Sequence, residues 1–311
     1  MTPSARTTPR RNASLSSGAD NVFRNIIIGL SSLVLVATVL YGFVLIVGGL
    51  PAFQRDGLGF LFGTNWDPGQ GVYQALPFIA GTFFTALGAL LIAVPLSIAA
   101  ALFIAEYAPR WLAGPVSSLI ELLAAIPSVV YGLWGIFVLI PAVRVFESWF
   151  VSITGVPWTP TGTGLLSAVL ILSVMVIPFI CAISRDVISL VPNDQREAAY
   201  ALGATKWEVI QYGILPYARA GILGGVILGL GRAIGETLAV TMVIGNANRI
   251  ATNPFDSTAT MSSIIASNFG EASETMRPAL IAIGFMLLVF SVIVNVIARM
   301  VITRLTPVGT R

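Results

Sequence analysis

The sequence predicts an all-α polytopic membrane protein with six transmembrane helices. Of its 311 residues, 56% are hydrophobic and only 10% are charged, and the mean hydropathy is +0.89. A soluble domain of this composition would have too little polar surface. Apolar stretches of about 20 residues, the length that crosses a hydrocarbon core as a helix, occur at residues 25–49, 76–104, 116–143, 164–188, 218–244 and 279–302.

The positions of Lys and Arg predict which side of the membrane each loop occupies. Six spans put both termini on one side. If that side is the cytoplasm, twelve Lys or Arg residues fall in inner flanks and loops and four in outer ones, and cytoplasmic segments are the ones enriched in these residues. We therefore expect both termini in the cytoplasm. The net charge of +3 follows from this topology and indicates no nucleic-acid partner.

The spans define the expected organisation of the chain. The first apolar stretch is longer than the ~7–15 residues of a cleaved signal core, so it is predicted to be a retained membrane anchor. We expect a cytoplasmic N-terminal tail at residues 1–24, a transmembrane domain at residues 25–304 and a cytoplasmic C-terminal tail at residues 305–311. Within the transmembrane domain, residues 193–216 form a polar cytoplasmic loop between the fourth and fifth spans.

The residue inventory argues against an enzyme. The chain contains no histidine and one cysteine, Cys181, which lies in an apolar span, so His-based acid–base relays and multi-Cys metal sites are excluded. The phosphate-binding pattern GxxxxGK[ST] is missing, and Lys206 is the only lysine. We expect no metal and no cofactor. If nucleotide energy drives this protein, another subunit binds the nucleotide.

The polar loop carries signals for two short helices. Asn193 or Asp194 is expected to cap the first helix, and Gly203 to end it. The letters TKWE at residues 205–208 fit the capping-box pattern S/T-x-x-E, so a second helix should begin there. The sequence thus predicts a helix-turn-helix projecting from the membrane, although such signals alone also occur in passive loops.

A family resemblance starts from the same loop. The residues that carry it are Glu197, Ala198, Ala199, Gly203, Leu215 and Pro216. In identity and spacing they resemble the EAA loop of permease subunits in ATP-binding-cassette importers, although Gly213 stands where that family usually has an aliphatic residue. The resemblance implies a type I importer permease (MetI-like) architecture and a loop helix that docks in a groove of a separate ATPase subunit. It implies docking contacts by Glu197, Ala198, Ala199 and Gly203, with Leu215 and Pro216 completing the set of residues that couple to the ATPase.

Other segments resemble the PstC-type permeases of bacterial phosphate transporters. They are FLFGTNW at residues 60–66, LPFIAGT at 76–82, Glu121 with IPSVVYGLWG at 126–135, and LGLGRAIGET at 228–237. The resemblance implies import of inorganic phosphate across the bacterial inner membrane. It also implies a PstA-like second permease, two PstB-like ATPase subunits, an extracytoplasmic PstS-like binding protein and contact with membrane lipid.

Charged residues inside the spans are the candidates for the substrate pathway. Arg232 falls near the middle of the fifth span, where an arginine costs roughly 2.5–3.5 kcal/mol on insertion scales. Glu236 follows four residues later and Thr237 stands beside it, so the sequence predicts a charge pair on one helix face. Arg232 would offer its guanidinium to an oxyanion. Alternatively, Arg232, Glu236 and Glu121 form a structural network between helices.

Two other functions are compatible with the residues alone. The cargo could be sulfate, molybdate or another oxyanion, since one arginine does not distinguish them. The chain could also be a membrane sensor or scaffold that binds an ATPase without passing solute.

Overall fold

The computed structural model describes residues 16–156 and 158–305, and it divides the chain into one unit up to Val47 and another from Gly48 onward. Helix α1 (Ser16–Asp56) begins in the first unit and ends in the second. Every side chain from residue 20 to residue 40 is exposed. Because most of these side chains are apolar, and from residue 26 onward only Ser31, Ser32 and Thr38 are polar, this part of α1 suits a lipid environment.

A short hairpin follows α1 in the second unit. Helix α2 (Gly59–Phe62) leads to two antiparallel strands, β1 (Trp66–Asp67) and β2 (Val72–Tyr73). The rings of Trp66 and Tyr73 lie 4.9 Å apart between centroids, and both residues are buried. This hairpin is the one strand pair among the described residues, and the all-α prediction is otherwise confirmed.

The remaining elements are helices. They are α3 (Leu76–Leu102), α4 (Arg110–Ala125), α5 (Ser128–Trp134), α6 (Ile140–Thr154), α7 (Leu165–Ser189), α8 (Asn193–Ala201), α9 (Lys206–Glu208), α10 (Leu215–Gly235), α11 (Leu238–Val243), α12 (Met261–Asn268) and α13 (Met276–Leu305). The π-helical turn Phe103–Tyr107 extends α3, Gly135–Leu139 joins α5 to α6, and Val209–Ile214 joins α9 to α10, while the 3₁₀ turn Phe269–Glu271 extends α12.

The described chain contains six helices long and apolar enough to cross a membrane, as the sequence predicts. They are Asp20–Asp56, Leu76–Tyr107, Ser128–Thr154, Leu165–Ser189, Lys206–Gly235 and Met276–Val301. The predicted N-terminal tail differs in part, because residues 16–24 are already helical. Residues 1–15 and 306–311 of the two predicted tails lie outside the described residues.

The predicted boundaries of the third and fifth spans are wrong. The third was expected at residues 116–143, but the chain leaves the helix at Ile126, whose backbone is extended (φ −64°, ψ 130°). Pro127 explains this break, since it has no N–H to donate and disfavours a helical conformation in the preceding residue. The fifth span, expected at 218–244, ends at Gly235 and begins already at Lys206.

Small residues hold α3, α7 and α10 together. Between α3 and α7, the Ser97 hydroxyl donates to the Ile177 carbonyl (3.0 Å) and the Ser173 hydroxyl donates to the Ala89 carbonyl (3.2 Å). On α10, glycines face side chains of α7 so closely that an added Cβ would come within 2.5–2.9 Å: Gly221 against Val187, Gly225 against Ile183 and Gly229 against Ile180. This close approach is typical of helix packing within membranes.

Candidate functional site

The chain is interrupted just after Arg232. Helix α10 ends at Gly235, Glu236 is extended (φ −69°, ψ 130°), and α11 begins at Leu238. The predicted pairing of Arg232 with Glu236 on one helix face is therefore wrong, because the two residues do not share a helix. Three of the four predicted pathway residues, Arg232, Glu236 and Thr237, nevertheless lie together at this break.

Glu236 stabilises the break itself. Its Oε1 accepts a hydrogen bond from the backbone N–H of Ala239 (3.2 Å), one of the N–H groups left free at the start of α11. Its backbone carbonyl accepts a hydrogen bond from the Ser262 hydroxyl of α12 (2.7 Å). The carboxylate thus acts as a helix cap, a role the sequence analysis did not assign to it.

Thr237 is also used locally. Its hydroxyl donates to the Gly235 carbonyl (3.3 Å), and its own carbonyl accepts from the Thr241 hydroxyl (2.7 Å) and the Thr241 N–H (2.9 Å). The Thr237 hydroxyl thus supplies the Gly235 carbonyl with a donor in place of the Ala239 N–H, which bonds to Glu236, while the Thr241 N–H bond is a regular bond of α11. A broken membrane helix is tolerated where side chains satisfy the freed backbone groups in this way.

The guanidinium of Arg232 has no anionic partner within the described parts of the chain. Its Nε is buried without a hydrogen bond, and its guanidinium carbon lies 5.9 Å from the centroid of the Phe179 ring. A contact with an aromatic face attracts a cation but uses none of its in-plane N–H donors. Arg232 is therefore a half-buried cation with donors still available, beside a helix break.

Glu121, the fourth predicted pathway residue, belongs to a different ionic group. Its Oε1 lies 2.9 Å from Nη2 of Arg185 on α7, and Arg185 also pairs with Asp186 at 2.7 Å. The side chain of Arg185 is largely buried, whereas that of Glu121 is 60% exposed. Glu121 thus links α4 to α7, and its partner is Arg185 rather than Arg232.

The helix-turn-helix at residues 193–216 is present as predicted, with one difference at its start. Helix α8 begins at Asn193, and the capping position is occupied by Pro192, which offers no side-chain hydrogen bond. The predicted cap by Asn193 or Asp194 is therefore wrong, because both residues already lie in the helix. The predicted end is confirmed: Gly203 follows α8 with a left-handed backbone (φ +80°) that suits glycine.

The second helix of this motif begins as the sequence predicts. The Thr205 hydroxyl accepts from the Glu208 N–H (3.4 Å), and the Glu208 carboxylate accepts from the Thr205 N–H (2.7 Å), which completes a capping box. The helix then continues without interruption into the membrane-spanning segment Lys206–Gly235. Leu215 and Pro216, predicted loop residues, therefore form the first turn of α10.

The candidate docking residues present an accessible surface. Glu197, Ala198 and Gly203 are exposed, and Ala199 is partly buried. A Cβ added at Gly203 would meet nothing within 4 Å. Leu202 beside it is 90% exposed. A small, polar helix with one protruding leucine can approach a partner closely.

Sequence reasoning missed the residues that attach this motif to the membrane helices. Arg196 of α8 pairs with Glu106 at the end of the α3 segment (Nη2–Oε1 2.7 Å), and Lys206 donates to the Glu106 carbonyl (2.6 Å). The pairs are 90 and 100 residues apart in sequence. No local spacing signals such contacts, although an acidic residue near the end of an apolar span is an unusual feature.

Tyr131 is a second residue that the sequence analysis did not single out. Its hydroxyl donates to the Leu123 carbonyl (2.8 Å), and its side chain is buried. In an unbroken helix, that carbonyl would accept from the N–H of residue 127, which is a proline. Tyr131 thus bridges the break between α4 and α5.

Comparison with known proteins identifies the family. Residues 93–307 match the family model described as the inner membrane component of binding-protein-dependent transport systems. The chain belongs to this family. Among its curated relatives, the phosphate transport system permease protein PstC of Xylella fastidiosa (strain 9a5c) is 43% identical, over 98% of this chain and 97% of that protein. The probable ABC transporter permease protein YqgH of Bacillus subtilis is 38% identical, over 90% of each chain.

Solved structures of two ABC transporters show the same fold. An inward-facing MetNI methionine ABC transporter matches with a TM-score of 0.52 at 20% identity, covering 75% of this chain and 94% of that one. A bacterial ABC transporter that imports the acidic polysaccharide alginate matches with a TM-score of 0.57 at 18% identity, covering 92% and 99%. The architecture is therefore that of a MetI-like ABC importer permease, as the resemblance implied.

Proposed function

We propose that this inner membrane component is the permease subunit of an ATP-driven phosphate importer. The observation that carries the proposal is the half-buried guanidinium of Arg232, which has free donors beside a broken membrane helix. Ionisable groups inside a membrane protein mark substrate pathways by default. The fork of a guanidinium matches a phosphate oxyanion, and PstC proteins are relatives that are named for phosphate transport.

The transport complex we propose contains a PstA-like second permease, two PstB-like ATPase subunits and an extracytoplasmic PstS-like binding protein. Glu197, Ala198, Ala199 and Gly203 would dock on an ATPase subunit, and Leu215 and Pro216 would pass its movement into α10. ATP hydrolysis takes place in the partner, so this subunit is not an enzyme. Both termini and the helix-turn-helix would lie in the cytoplasm, as the distribution of Lys and Arg favours.

Alternating access would expose the Arg232 region to each side of the membrane in turn. The binding protein would deliver phosphate to outer loops near residues 54–73 and 246–277. Arg232 would contact the anion as it passes, while the capping role of Glu236 holds the backbone of the break in place. Thr237 would line the same point of the pathway, whereas Glu121, paired with Arg185, would hold α4 against α7.

The test is uptake of radiolabelled phosphate by proteoliposomes that contain the full complex. We expect uptake that requires internal ATP and the external binding protein, and that excess unlabelled phosphate suppresses. If sulfate or molybdate competes better than phosphate, the cargo is a different oxyanion. If ATP is hydrolysed in response to the binding protein but no anion enters, the chain is a sensor or scaffold, and the proposal is wrong.

A further inference from the structure

Both helices of the helix-turn-helix contact Glu106 at the end of the α3 segment. Arg196 of α8 contacts Oε1 of Glu106 through Nη2 (2.7 Å) and Nε (3.2 Å). Lys206, after the turn, donates to the Glu106 carbonyl (2.6 Å) and lies 4.2 Å from the centroid of the Tyr107 ring. We call these four residues the Arg196 clamp. Glu106 is therefore held from both sides of the turn, and Tyr107 is held by Lys206.

Arg196 also closes the end of α7. Its Nη2 donates to the Ile188 carbonyl (3.2 Å), and its Nη1 donates to the Val191 carbonyl. The last carbonyls of a helix have no partner within the helix, so an arginine commonly satisfies them. The side chain is only 18% exposed, and that of Glu106 is 12% exposed. One guanidinium thus joins three elements, the end of the α3 segment, the end of α7 and α8.

The two membrane helices that Arg196 joins are themselves fastened together. Ser97 and Ser173 bond across the α3–α7 contact, as described above, and a Cβ added at Gly88 of α3 would come within 2.8 Å of Val169 on α7. Close-packed elements transmit displacement because they do not deform continuously. A movement of α8 therefore reaches α3 and α7 together.

We propose that Arg196 is a positioning residue that couples α8 to the α3–α7 pair, so that force on the helix-turn-helix reaches the membrane by a second route besides α10. This inference rests on the proposed function. The first route is the continuous backbone from Lys206 to Gly235. The second is the Arg196 clamp, which acts through side chains on two helices that precede α8 in the chain.

Substitution of Arg196 with lysine separates this role from simple charge attraction. Lysine keeps the charge but lacks the planar fork that reaches Glu106, Ile188 and Val191 at once. The matched control is Arg110→Lys, because Arg110 is exposed, follows Glu106 closely in the chain and has no ion pair among the described residues. Glu106→Gln removes the charge of the partner and leaves its shape.

The first experiment measures phosphate uptake per ATP hydrolysed in the reconstituted complex. For Arg196→Lys we expect assembly and ATPase activity within about twofold of the wild type, and a ratio of uptake to hydrolysis reduced about tenfold, because a multiply bonded charge pair is lost. Glu106→Gln should reduce the ratio in the same direction, and Arg110→Lys should leave it unchanged. An unchanged ratio in both Arg196→Lys and Glu106→Gln overturns the proposal. If the Arg196→Lys variant does not assemble, the ratio of uptake to hydrolysis in Glu106→Gln is the test, and an unchanged ratio in that variant overturns the proposal.

The second experiment needs no phosphate, so it distinguishes failure of the clamp from failure of the proposed function. Spin labels at Phe103→Cys and Asp194→Cys, in a Cys181→Ala background, report the distance between the end of the α3 segment and α8. The clamp predicts one narrow distance that stays the same with and without a non-hydrolysable ATP analogue, and a broadened distribution when Arg196→Lys is added. If the distribution does not change on Arg196→Lys, the clamp is not coupling these elements.

Discussion

Two arginines of this permease stand in opposite situations. Arg196 uses its guanidinium fully, with hydrogen bonds to Glu106 and to backbone carbonyls of Ile188 and Val191. Arg232 contacts an aromatic ring, and its Nε is buried without a hydrogen bond. A saturated guanidinium fixes the positions of its neighbours, whereas one with free donors can bind an anion from outside. The difference separates a structural charge from a candidate transport charge.

The largest effect is expected for Arg232→Met. Loss of two charge-assisted hydrogen bonds to phosphate should reduce uptake about 100-fold, equivalent to about 2.8 kcal/mol. Thermal stability should change little, because the loss of the contact with the Phe179 ring is offset by removal of a half-buried charge and no hydrogen bond or ion pair of a described residue is broken. Uptake in proteoliposomes and thermal unfolding in detergent measure the two effects. A marked loss of stability would show that Arg232 is saturated after all, like Arg196. Arg232→Lys tests whether the fork matters beyond the charge.

A smaller effect is expected at the turn between the two halves of the Arg196 clamp. Gly203→Val forces a β-branched residue into a left-handed conformation, which costs about 1–2 kcal/mol, so uptake should fall about tenfold. Gly203→Asn is the matched control, because asparagine tolerates this conformation. If the Asn variant loses as much activity as the Val variant, bulk on the docking surface is responsible. If both variants assemble and transport normally, Gly203 does not lie at the ATPase contact.

At the helix break, the capping role of Glu236 can be separated from its charge. Glu236→Gln keeps an oxygen that accepts from the Ala239 N–H, so the free energy of unfolding should change much less than in a variant without the cap. Glu236→Ala removes the cap and should lower that free energy by about 1 kcal/mol. Thermal unfolding of the two variants provides the measurement. Equal losses in both would mean that the negative charge, rather than the cap, stabilises the break.

Loss of the ion pair between Glu121 and Arg185 should affect stability and phosphate uptake less than the substitutions above. Glu121 is 60% exposed, and Arg185 keeps Asp186 when Glu121 is replaced. We expect Glu121→Gln to change the free energy of unfolding by less than about 1 kcal/mol and to leave phosphate uptake within about twofold. An uptake defect as large as that of Arg232→Met would place Glu121 in the pathway and contradict its assignment to a separate ionic group.

The smallest effect concerns Asp256, in the loop between α11 and α12. Burial by itself raises the pKa of this carboxyl, but hydrogen bonds from the Thr252 hydroxyl and N–H, and the nearby Arg249, outweigh it and hold the pKa below its usual value. The ionised Asp256 carboxylate therefore stabilises the folded loop fully above the ordinary pKa of about 3.9. This stabilisation is lost as the pH falls through the lower pKa of the folded state.

Hydrogen exchange of the Thr252 amide measures this pH dependence. Protection should be constant between about pH 5 and pH 8 and should decrease in more acidic solution. Asp256→Asn should remove the acid-induced decrease. If protection in the wild type already decreases near neutral pH, another group controls the loop.

Sequence reasoning found the helices but drew the third and fifth spans across their breaks, although Pro127 is a visible signal for the first of these. Hydropathy measures the apolar length of a segment, and it does not register that Ile126 and Glu236 leave the helical conformation. The capping box at Thr205 and the turn at Gly203 were predictable because their signals are local. In contrast, the contacts of Arg196 and Arg185 join residues far apart in sequence, which helix periodicity does not reveal.

The bond between Tyr131 and Leu123 has a consequence for how this family can vary. The Leu123 carbonyl accepts from the Ile126 N–H (3.3 Å) and from the Tyr131 hydroxyl (2.8 Å), whereas Pro127 has no N–H to donate. Phenylalanine at residue 131 would remove the shorter of these two bonds, and a residue with an N–H at position 127 could supply a replacement donor. Residues that share one acceptor do not act independently. Substitutions at 127 and 131 are therefore expected to be coupled, and the two positions should vary together.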